Sequence, residues 1–243
     1  MDIVVADRLG RTWPSSSGPP VVAADQISFR VPAGTVFGLL GSNGAGKSTT
    51  MRMLATLTLP TSGTASICGH DVVKAPAQVR ASLGYLSATS GLPGRATCRE
   101  VLELFASLHR VTRVDEAVDR AIERFALQEF VHRRTEELST GMRQRVRIAC
   151  AAVHQPAVLI LDEPTAGLDL VAADRLLDSI LEARSQGTTI LFSTHILREV
   201  ARVCDQVAII DAGRLRAEGT VASLQADTGT STFDDAYIAV VRR

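Results

Sequence analysis

One short segment limits the fold of this chain more than any other, a glycine-rich loop between an apolar strand and a helix. Val36–Leu40 is a short apolar run, and residues 47–57 contain no glycine or proline that would interrupt a helix. The loop between them matches the pattern G-x-x-x-x-G-K-[ST] at every fixed position. It consists of Gly41, Ser42, Asn43, Gly44, Ala45, Gly46, Lys47 and Ser48. Strand, loop and helix in this order predict a phosphate-binding loop (P-loop) in an α/β core.

The residue types in the P-loop suit a polyphosphate. Its glycines let consecutive backbone N–H groups point inward, and the following helix adds its positive N-terminal end. Lys47 can reach the outer phosphates, and Ser48 offers a hydroxyl to Mg²⁺. A glycine-rich turn that only capped a helix would not need lysine and serine at these two places. The P-loop therefore predicts a nucleotide bound with Mg²⁺.

A second motif places acidic groups at the end of another apolar strand, residues 158–161. Asp162 and Glu163 follow that strand directly. On its own, such a pair is as readily the solvated end of a strand. In a chain with a P-loop, Asp162 can hold Mg²⁺, and Glu163 can orient and polarise a water for attack on the γ-phosphate. Together the two motifs predict nucleotide hydrolysis.

Charge and hydropathy exclude other classes of protein. Lys plus Arg and Asp plus Glu both number 26, so the net charge is zero and no nucleic-acid partner is expected. No apolar run approaches the roughly 20 residues that span a bilayer, and the first residues lack a basic and apolar leader. We therefore expect a cytoplasmic protein without a membrane span of its own.

The order of patterns along the chain predicts its organisation. Residues 11–20 are rich in proline, serine and glycine and are predicted to form a surface loop between two strands. Several short apolar runs predict a sheet covered on both faces. Between residues 91 and 154 these runs give way to helical spacing, which predicts a helical insert in the α/β core.

Further segments complete a family pattern in the expected order. They are Leu138-Ser139-Thr140-Gly141-Met142 before the acidic strand, Thr165-Ala166-Gly167-Leu168-Asp169 after it, and Phe192-Ser193-Thr194-His195 at a later strand. From about residue 3 to about residue 225, the chain resembles the nucleotide-binding subunit of an ABC transporter. The resemblance implies an α/β P-loop NTPase (RecA-like) fold, whose mixed-sheet core carries an antiparallel β subdomain and an inserted α-helical subdomain.

The resemblance also implies a single ABC ATPase domain over residues 1–243. Residues 1–90 and 155–220 would form the α/β core with the β subdomain. Residues 91–154 would form the helical subdomain with the signature segment, and residues 221–243 a C-terminal tail.

Roles at a dimer seam follow from the resemblance for residues that would otherwise be structural. Ser139 and Gly141, in the signature segment, would contact the γ-phosphate of ATP held by the P-loop of a second copy. Asp169 would lie at the seam of this ATP-dependent head-to-tail dimer. Taken alone, Ser139 is an ordinary helix cap and Asp169 an ordinary turn residue.

The resemblance implies three more contacts to ATP. Thr49, the residue after Ser48, would bind the nucleotide with the P-loop. His195 would reach the γ-phosphate and help to hold the water and Glu163, so that Glu163 and His195 form the catalytic pair. Trp13 would stack on adenine, a contact that any aromatic ring face can make. A lone histidine at the end of a strand is usually structural.

The chain departs from the family pattern where a glutamine normally follows the strand at residues 83–86. This chain has Ala88 there. The family's glutamine touches Mg²⁺ and water and senses the transmembrane partner, so coupling through it is in doubt. Ser87, Thr89 or Ser90 could offer a hydroxyl instead.

The signature segment departs from the family as well, with Thr140 and Met142 in place of glycine and glutamine. Thr140 adds a Cβ beside the phosphate contact, which excludes backbone angles open only to glycine. These departures resemble the NatA-type branch of type-2 ABC exporters, which exports sodium.

The resemblance implies an ATPase subunit that powers a separate transmembrane permease from the inner face of the cell membrane. Part of residues 91–104 would grip that permease. Alternatives are export of a drug or other small molecule, and an ABC-type ATPase of translation or DNA repair that has no membrane partner. A P-loop kinase or GTPase is a further alternative, but the chain has no Asn-Lys-x-Asp segment to read guanine.

Overall fold

Two β-sheets organise the chain in the computed structural model, which describes residues 1–15, 18–88 and 91–242. The strands are β1 (Asp2–Trp13), β2 (Val21–Pro32), β3 (Val36–Leu40), β4 (Ser62–Ile67), β5 (His70–Asp71), β6 (Leu83–Leu86), β7 (Val158–Asp162), β8 (Thr189–Thr194), β9 (Gln206–Asp211) and β10 (Arg214–Gly219). The helices are α1 (Lys47–Leu54), α2 (Pro76–Ser82), α3 (Cys98–Leu108), α4 (Val114–Arg124), α5 (Thr140–Ala152), α6 (Leu170–Ser185), α7 (Leu197–Val203), α8 (Val221–Thr228) and α9 (Phe233–Val241).

The larger sheet has the strand order β10-β9-β3-β8-β7-β6. Neighbouring strands from β9 to β6 are parallel, and β10 at the edge runs antiparallel to β9. Every residue of β3, β7 and β8 is buried, as the continuous apolar runs predict. Parallel strands end at the same edge of a sheet, so the segments that follow β3, β7 and β8 meet there. These segments are the P-loop, the acidic pair and the turn with His195.

The smaller sheet is antiparallel, with the order β2-β1-β4-β5. Its apolar face and α1 pack on one side of the larger sheet, in a core that includes Val158 and Ile160 of β7. Leu159 and Leu161 of the same strand face the opposite core, with α3, α5 and α6. The predicted α/β fold with an antiparallel subdomain and a helical insert is confirmed.

The predicted loop at residues 11–20 is wrong in its first three residues, which extend β1. Arg11 pairs with Ala24, and Trp13 pairs with Val21. The Arg11 guanidinium also donates to the Leu59 carbonyl at 2.9 Å. These contacts lie far away in the sequence, so the local richness in proline and serine does not reveal them.

The first helix is shorter than residues 47–57 predict, because α1 ends at Leu54. Thr56 has a left-handed backbone with φ of +62°, and the Leu57 N–H donates back to the Arg52 carbonyl at 2.9 Å. This pattern closes the helix end as a glycine would. Nothing in the residue types at this point signals the stop.

Helices fill the segment between β6 and β7, as predicted. A capping box begins α3, in which Thr97 accepts from the Glu100 N–H and the Glu100 carboxylate accepts from the Thr97 N–H. At the other end of the chain, residues 221–242 form α8 and α9, which pack on β9 and α7 through a small apolar core. Within the described ranges, no helix is both long and apolar enough to cross a membrane.

Two stacked imidazoles join the end of α3 to the end of α5. The rings of His109 and His154 lie 3.6 Å apart between centroids and are nearly parallel, with an angle of 5° between their planes. One ring nitrogen of His154 lies 3.2 Å from the Leu83 carbonyl. Burial, and secondarily the neighbouring His109, lowers the pKa of His154 to about 4. The fold therefore favours the neutral form of this imidazole.

Acidification is expected to cost stability at this pair. In the unfolded chain His154 takes up a proton below about pH 6.5, whereas in the fold it stays neutral down to about pH 4. Stability present above pH 6.5 is thus lost as the pH falls towards 4, by on the order of 2 kcal/mol. We expect His154→Gln to lose that much less free energy of unfolding than wild type between pH 7 and pH 4. Denaturant unfolding at several pH values measures the free energy of unfolding of both proteins. If it fell equally with pH in wild type and His154→Gln, the prediction would be contradicted.

Candidate active site

Backbone crowding explains two of the P-loop glycines. A Cβ at Gly41 would lie 2.2 Å from the Ile210 carbonyl oxygen, and one at Gly46 would lie 2.4 Å from the Ala23 carbonyl oxygen. Gly46 also has φ of +108°, which L side chains rarely adopt. The loop can therefore curl tightly between β2 and β9 only with glycine at both positions. Its N–H groups then precede α1 at the helix N-terminus.

Lys47 lies folded against its own loop. Its ammonium donates to the carbonyls of Gly41 at 2.8 Å and Ser42 at 3.0 Å, and it lies 3.3 Å from Glu163 Oε1. The side chain is 3% exposed. A buried ammonium needs such partners, because desolvation without them costs several kcal/mol. The charge of Lys47 is thereby held at the P-loop and next to Glu163.

A chain of hydroxyls and carboxylate joins the P-loop to the acidic strand. The hydroxyls of Ser48 and Ser193 donate to Asp162 Oδ1 at 3.0 Å and 2.7 Å. Asp162 is fully buried, and its Oδ2 has no hydrogen-bond partner among the described residues. A buried carboxylate oxygen without a donor is costly, and a hard divalent cation satisfies it. The donor set of Ser48 and Asp162 therefore fits Mg²⁺.

Glu163 is the next residue, and its backbone turns sharply. Its φ is +47°, an uncommon value for a side chain of this size, and its N–H donates to Ser193 Oγ at 2.9 Å. Glu163 Oε2 lies 3.6 Å from His195 Nδ1. The turn that carries His195 is held by Thr194, whose hydroxyl donates to Glu199 and accepts from the Ile196 N–H. The predicted catalytic pair is thus in contact.

A cavity of about 390 Å³ unites most of the predicted nucleotide-binding residues. Its lining from the P-loop and the acidic strand comprises Asn43, Gly44, Ala45, Gly46, Lys47, Ser48, Thr49, Asp162 and Glu163. Ala88 lies in the same wall, where the family has glutamine. Of the residues named as substitutes for that glutamine, Thr89 and Ser90 lie outside the described residues.

The signature residues lie apart from this cavity, in a second one of about 370 Å³. Ser139 caps α5 by accepting from the Met142 N–H, and Asp169 caps α6 by accepting from two N–H groups at 2.9 Å. A Cβ at Gly141 would lie 3.1 Å from the Ala172 Cβ, so the two helix starts pack side by side. Arg145 and Arg175 line the same cavity. Two helix N-termini and two guanidinium groups offer donors to an anion there, beside the carboxylates of Glu129 and Asp169.

Trp13, at the end of β1, is 39% exposed. The guanidinium of Arg11 covers its ring at 3.8 Å from the centroid. Trp13 pairs with Val21, two residues before Ala23, whose carbonyl contacts the P-loop at Gly46. The backbone of Trp13 therefore pairs with the strand that contacts the P-loop, but Trp13 does not line the cavity there.

Ser193 and Arg52 are site residues that the motifs do not single out. Ser193 is directly opposite Asp162 in the pairing of β7 with β8, and Arg52 of α1 lines the P-loop cavity. A polar residue at the carboxyl end of an otherwise apolar parallel strand was the available signal for Ser193. For Arg52 no signal distinguishes it from a solvated residue of a helix.

Known proteins resemble this chain over most of its length. The family model described as ABC transporter matches residues 24–166, more than half of the chain. The daunorubicin resistance ATP-binding protein DrrA3 of Streptomyces coeruleorubidus is 40% identical over 214 residues, which are 87% of this chain and 68% of that protein. The ABC transporter ATP-binding protein NatA of Bacillus subtilis is 38% identical over 207 residues, 84% of each protein.

A solved structure agrees with these relatives. The structure of an ATP binding subunit of an ABC transporter superposes with a TM-score of 0.85 at 30% identity, over 98% of this chain and 99% of that one. The sequence and the fold thus match the same family, and the P-loop cavity holds the residue types that ATP hydrolysis needs. This chain belongs to the ABC transporter family, as an ATP-binding subunit that hydrolyses ATP.

Proposed function

We propose that this chain hydrolyses ATP with Glu163 as the residue that activates water, and that it powers an exporter whose permease is a separate chain. The observation that carries the proposal is the contact of Glu163 with both Lys47 and His195 at the P-loop. A carboxylate in contact with these side chains would face the end of the phosphate chain of bound ATP, where the attacking water must stand. The permease and the cargo are implied by the family.

The P-loop and its neighbours would bind the nucleotide in the cavity described above. Backbone N–H groups from Gly41 to Thr49 would hold the phosphates, with Lys47 on the outer ones. Ser48 and Asp162 would hold Mg²⁺, which neutralises charge on the phosphate oxygens when bound. His195 would contact the γ-phosphate and keep Glu163 oriented.

A head-to-tail dimer would complete each site. Ser139 and Gly141 lie in a different cavity from Lys47, so one copy does not bring signature and P-loop together. A second copy can supply the signature surface, where helix N-termini and arginines suit the γ-phosphate. Asp169, beside Ser139, would then lie at the seam between the copies.

Nucleotide binding is expected to change the fluorescence of Trp13, the only tryptophan of the chain. Stacking on adenine contributes about 1–3 kcal/mol per base, so Trp13→Ala is expected to raise the Kd for ATP by about tenfold or more. Trp13→Phe keeps a ring and is expected to stay within about threefold of wild type. Calorimetric titration measures the Kd for ATP of wild type and of both variants. Equal Kd values for Ala and wild type would remove Trp13 from the adenine site.

The proposed cargo is sodium, moved outward through a permease that meets residues 91–104 on the inner face of the membrane. The identity with NatA supports this assignment. A drug or other small molecule is the second candidate, supported by the identity with a daunorubicin resistance protein. A zero net charge supports the expectation that no nucleic acid takes part.

Export can be tested by expressing the chain with and without the membrane protein encoded beside it, in a host deficient in pumps. Sodium efflux and resistance to a panel of toxic compounds are then measured together. Sodium efflux that needs both proteins and is lost with Glu163→Gln would support the proposal. If sodium efflux is unchanged and a drug is exported, the proposed cargo is replaced. If the two proteins produce neither sodium efflux nor drug resistance, the proposed exporter function is overturned.

A further inference from the structure

A short hydrogen-bonded chain of side chains runs from helix α5 to the ends of two strands. Arg147 donates through one terminal nitrogen to Gln144 Oε1 at 2.6 Å and through the other to the Ser87 carbonyl. Gln144 in turn donates through Nε2 to the Pro164 carbonyl at 2.5 Å. The contacts link Ser87 to Pro164 through two side chains on successive turns of one helix.

Both ends of this chain adjoin the P-loop cavity. Ser87 immediately precedes Ala88, which lines that cavity, and Pro164 immediately follows Glu163. The two carbonyls lie just beyond β6 and β7, which are neighbours in the sheet. Because the backbone has left the strand ladder there, each carbonyl needs another donor. Arg147 and Gln144 supply those donors.

The burial of these groups makes the contacts strong. Gln144 is 6% exposed, and Arg147 is partly buried. A hydrogen bond to a charged donor contributes about 1.5–3 kcal/mol, and breaking it leaves the remaining partner unpaired. Moreover, Glu163 has an uncommon backbone conformation that its surroundings must hold. The Pro164 carbonyl is one of the places where they hold it.

We propose that Arg147 and Gln144 are positioning residues for hydrolysis, which fix the turn at Glu163 relative to the loop at Ala88. Where the family has a glutamine that contacts the site from that loop, this chain ties the loop to Glu163 through the helix of its signature segment. The inference rests on the proposed role of Glu163. Neither Arg147 nor Gln144 lines the P-loop cavity.

Steady-state ATP hydrolysis by the purified full chain tests the inference. Arg147→Met keeps an unbranched apolar stem and removes the donors, so we expect kcat to fall about tenfold with KM for ATP within about twofold. Gln144→Glu still accepts from Arg147 but cannot donate to Pro164, and we expect a similar loss. Arg147→Lys, which keeps the charge and a donor, is expected to recover part of kcat.

A matched control separates positioning from general destabilisation. Arg120→Met removes an exposed arginine that pairs with Glu116 on α4, and it should leave kcat unchanged. Arg147→Lys and Gln144→Glu are expected to melt below the control because they lose buried hydrogen bonds, so kcat is compared at a temperature where all three proteins are folded. A kcat equal to the control in Gln144→Glu, or a raised KM with unchanged kcat, would overturn the inference.

The proposed function is tested independently by Glu163→Gln in the same assay. If Glu163→Gln is inactive while Gln144→Glu is fully active, only the positioning role is lost. If Glu163→Gln hydrolyses ATP at the wild-type rate, the proposed role of Glu163 is lost, whatever the variants of Arg147 and Gln144 show.

Discussion

Glu163→Gln is expected to lower ATP turnover by about 10²- to 10⁴-fold, the usual contribution of a positioned general base. The amide has the same size as the carboxylate but cannot take a proton from water. The N–H of residue 163 donates to Ser193 whatever the side chain is, so the turn should keep its shape. ATP should therefore still bind, within a fewfold of wild type, as the P-loop is unchanged.

Two measurements are needed to read this result. Phosphate release at saturating ATP gives kcat, and calorimetric titration gives the Kd for ATP. Glu116→Gln is a suitable control, because that carboxylate is exposed on α4 and pairs with Arg113 and Arg120. Full hydrolysis by Glu163→Gln would assign water activation to another group. Loss of ATP binding would instead show that the carboxylate holds the P-loop together through Lys47.

The sequence predicts the placement of the catalytic elements because they depend on short-range order. A P-loop must follow a strand and precede a helix, and acids after a parallel strand must reach the same edge of the sheet. These rules bring Lys47, Asp162 and Glu163 together without knowledge of the rest of the chain. The structure has them within one cavity.

Other features depend on partners distant in the sequence, and the residue pattern is silent about them. Arg11 belongs to a strand because its backbone pairs with Ala24 and its guanidinium donates to the Leu59 carbonyl. Ser193 reaches Asp162 because β8 lies beside β7. The tie from Arg147 to Ser87 crosses 60 positions. Packing and not propensity decides each of these contacts.

The family resemblance predicts one further feature, which neither the motifs nor the residue pattern reveals. Ser139 and Asp169 are expected to share one surface. In the sequence they are separated by the acidic strand, yet α5 and α6 begin side by side at Gly141 and Ala172. The cavity they line shares no residue with the P-loop cavity of the same copy. Such a separate surface is compatible with the proposed head-to-tail dimer, in which another copy would provide the phosphate.

Mixing two inactive variants is expected to restore hydrolysis if the sites are completed by a second copy. Lys47→Ala disables the P-loop, and Ser139→Arg blocks the signature surface with a bulky side chain. In a head-to-tail dimer of one copy of each, one site combines both defects and the other is intact. With random pairing and independent sites, an equal mixture should regain about a quarter of wild-type turnover.

A second mixture provides the control, because it pairs two defects of the same half-site. Lys47→Ala mixed with Glu163→Gln leaves each site of every dimer with a damaged P-loop side, so no turnover should return. Phosphate release is measured for both mixtures at equal total protein, together with each variant alone. Recovery only in the mixture with Ser139→Arg requires P-loop and signature from different copies. If neither mixture releases phosphate, Ser139 and Lys47 act in the site of one and the same copy. The proposed head-to-tail dimer would then have to be abandoned.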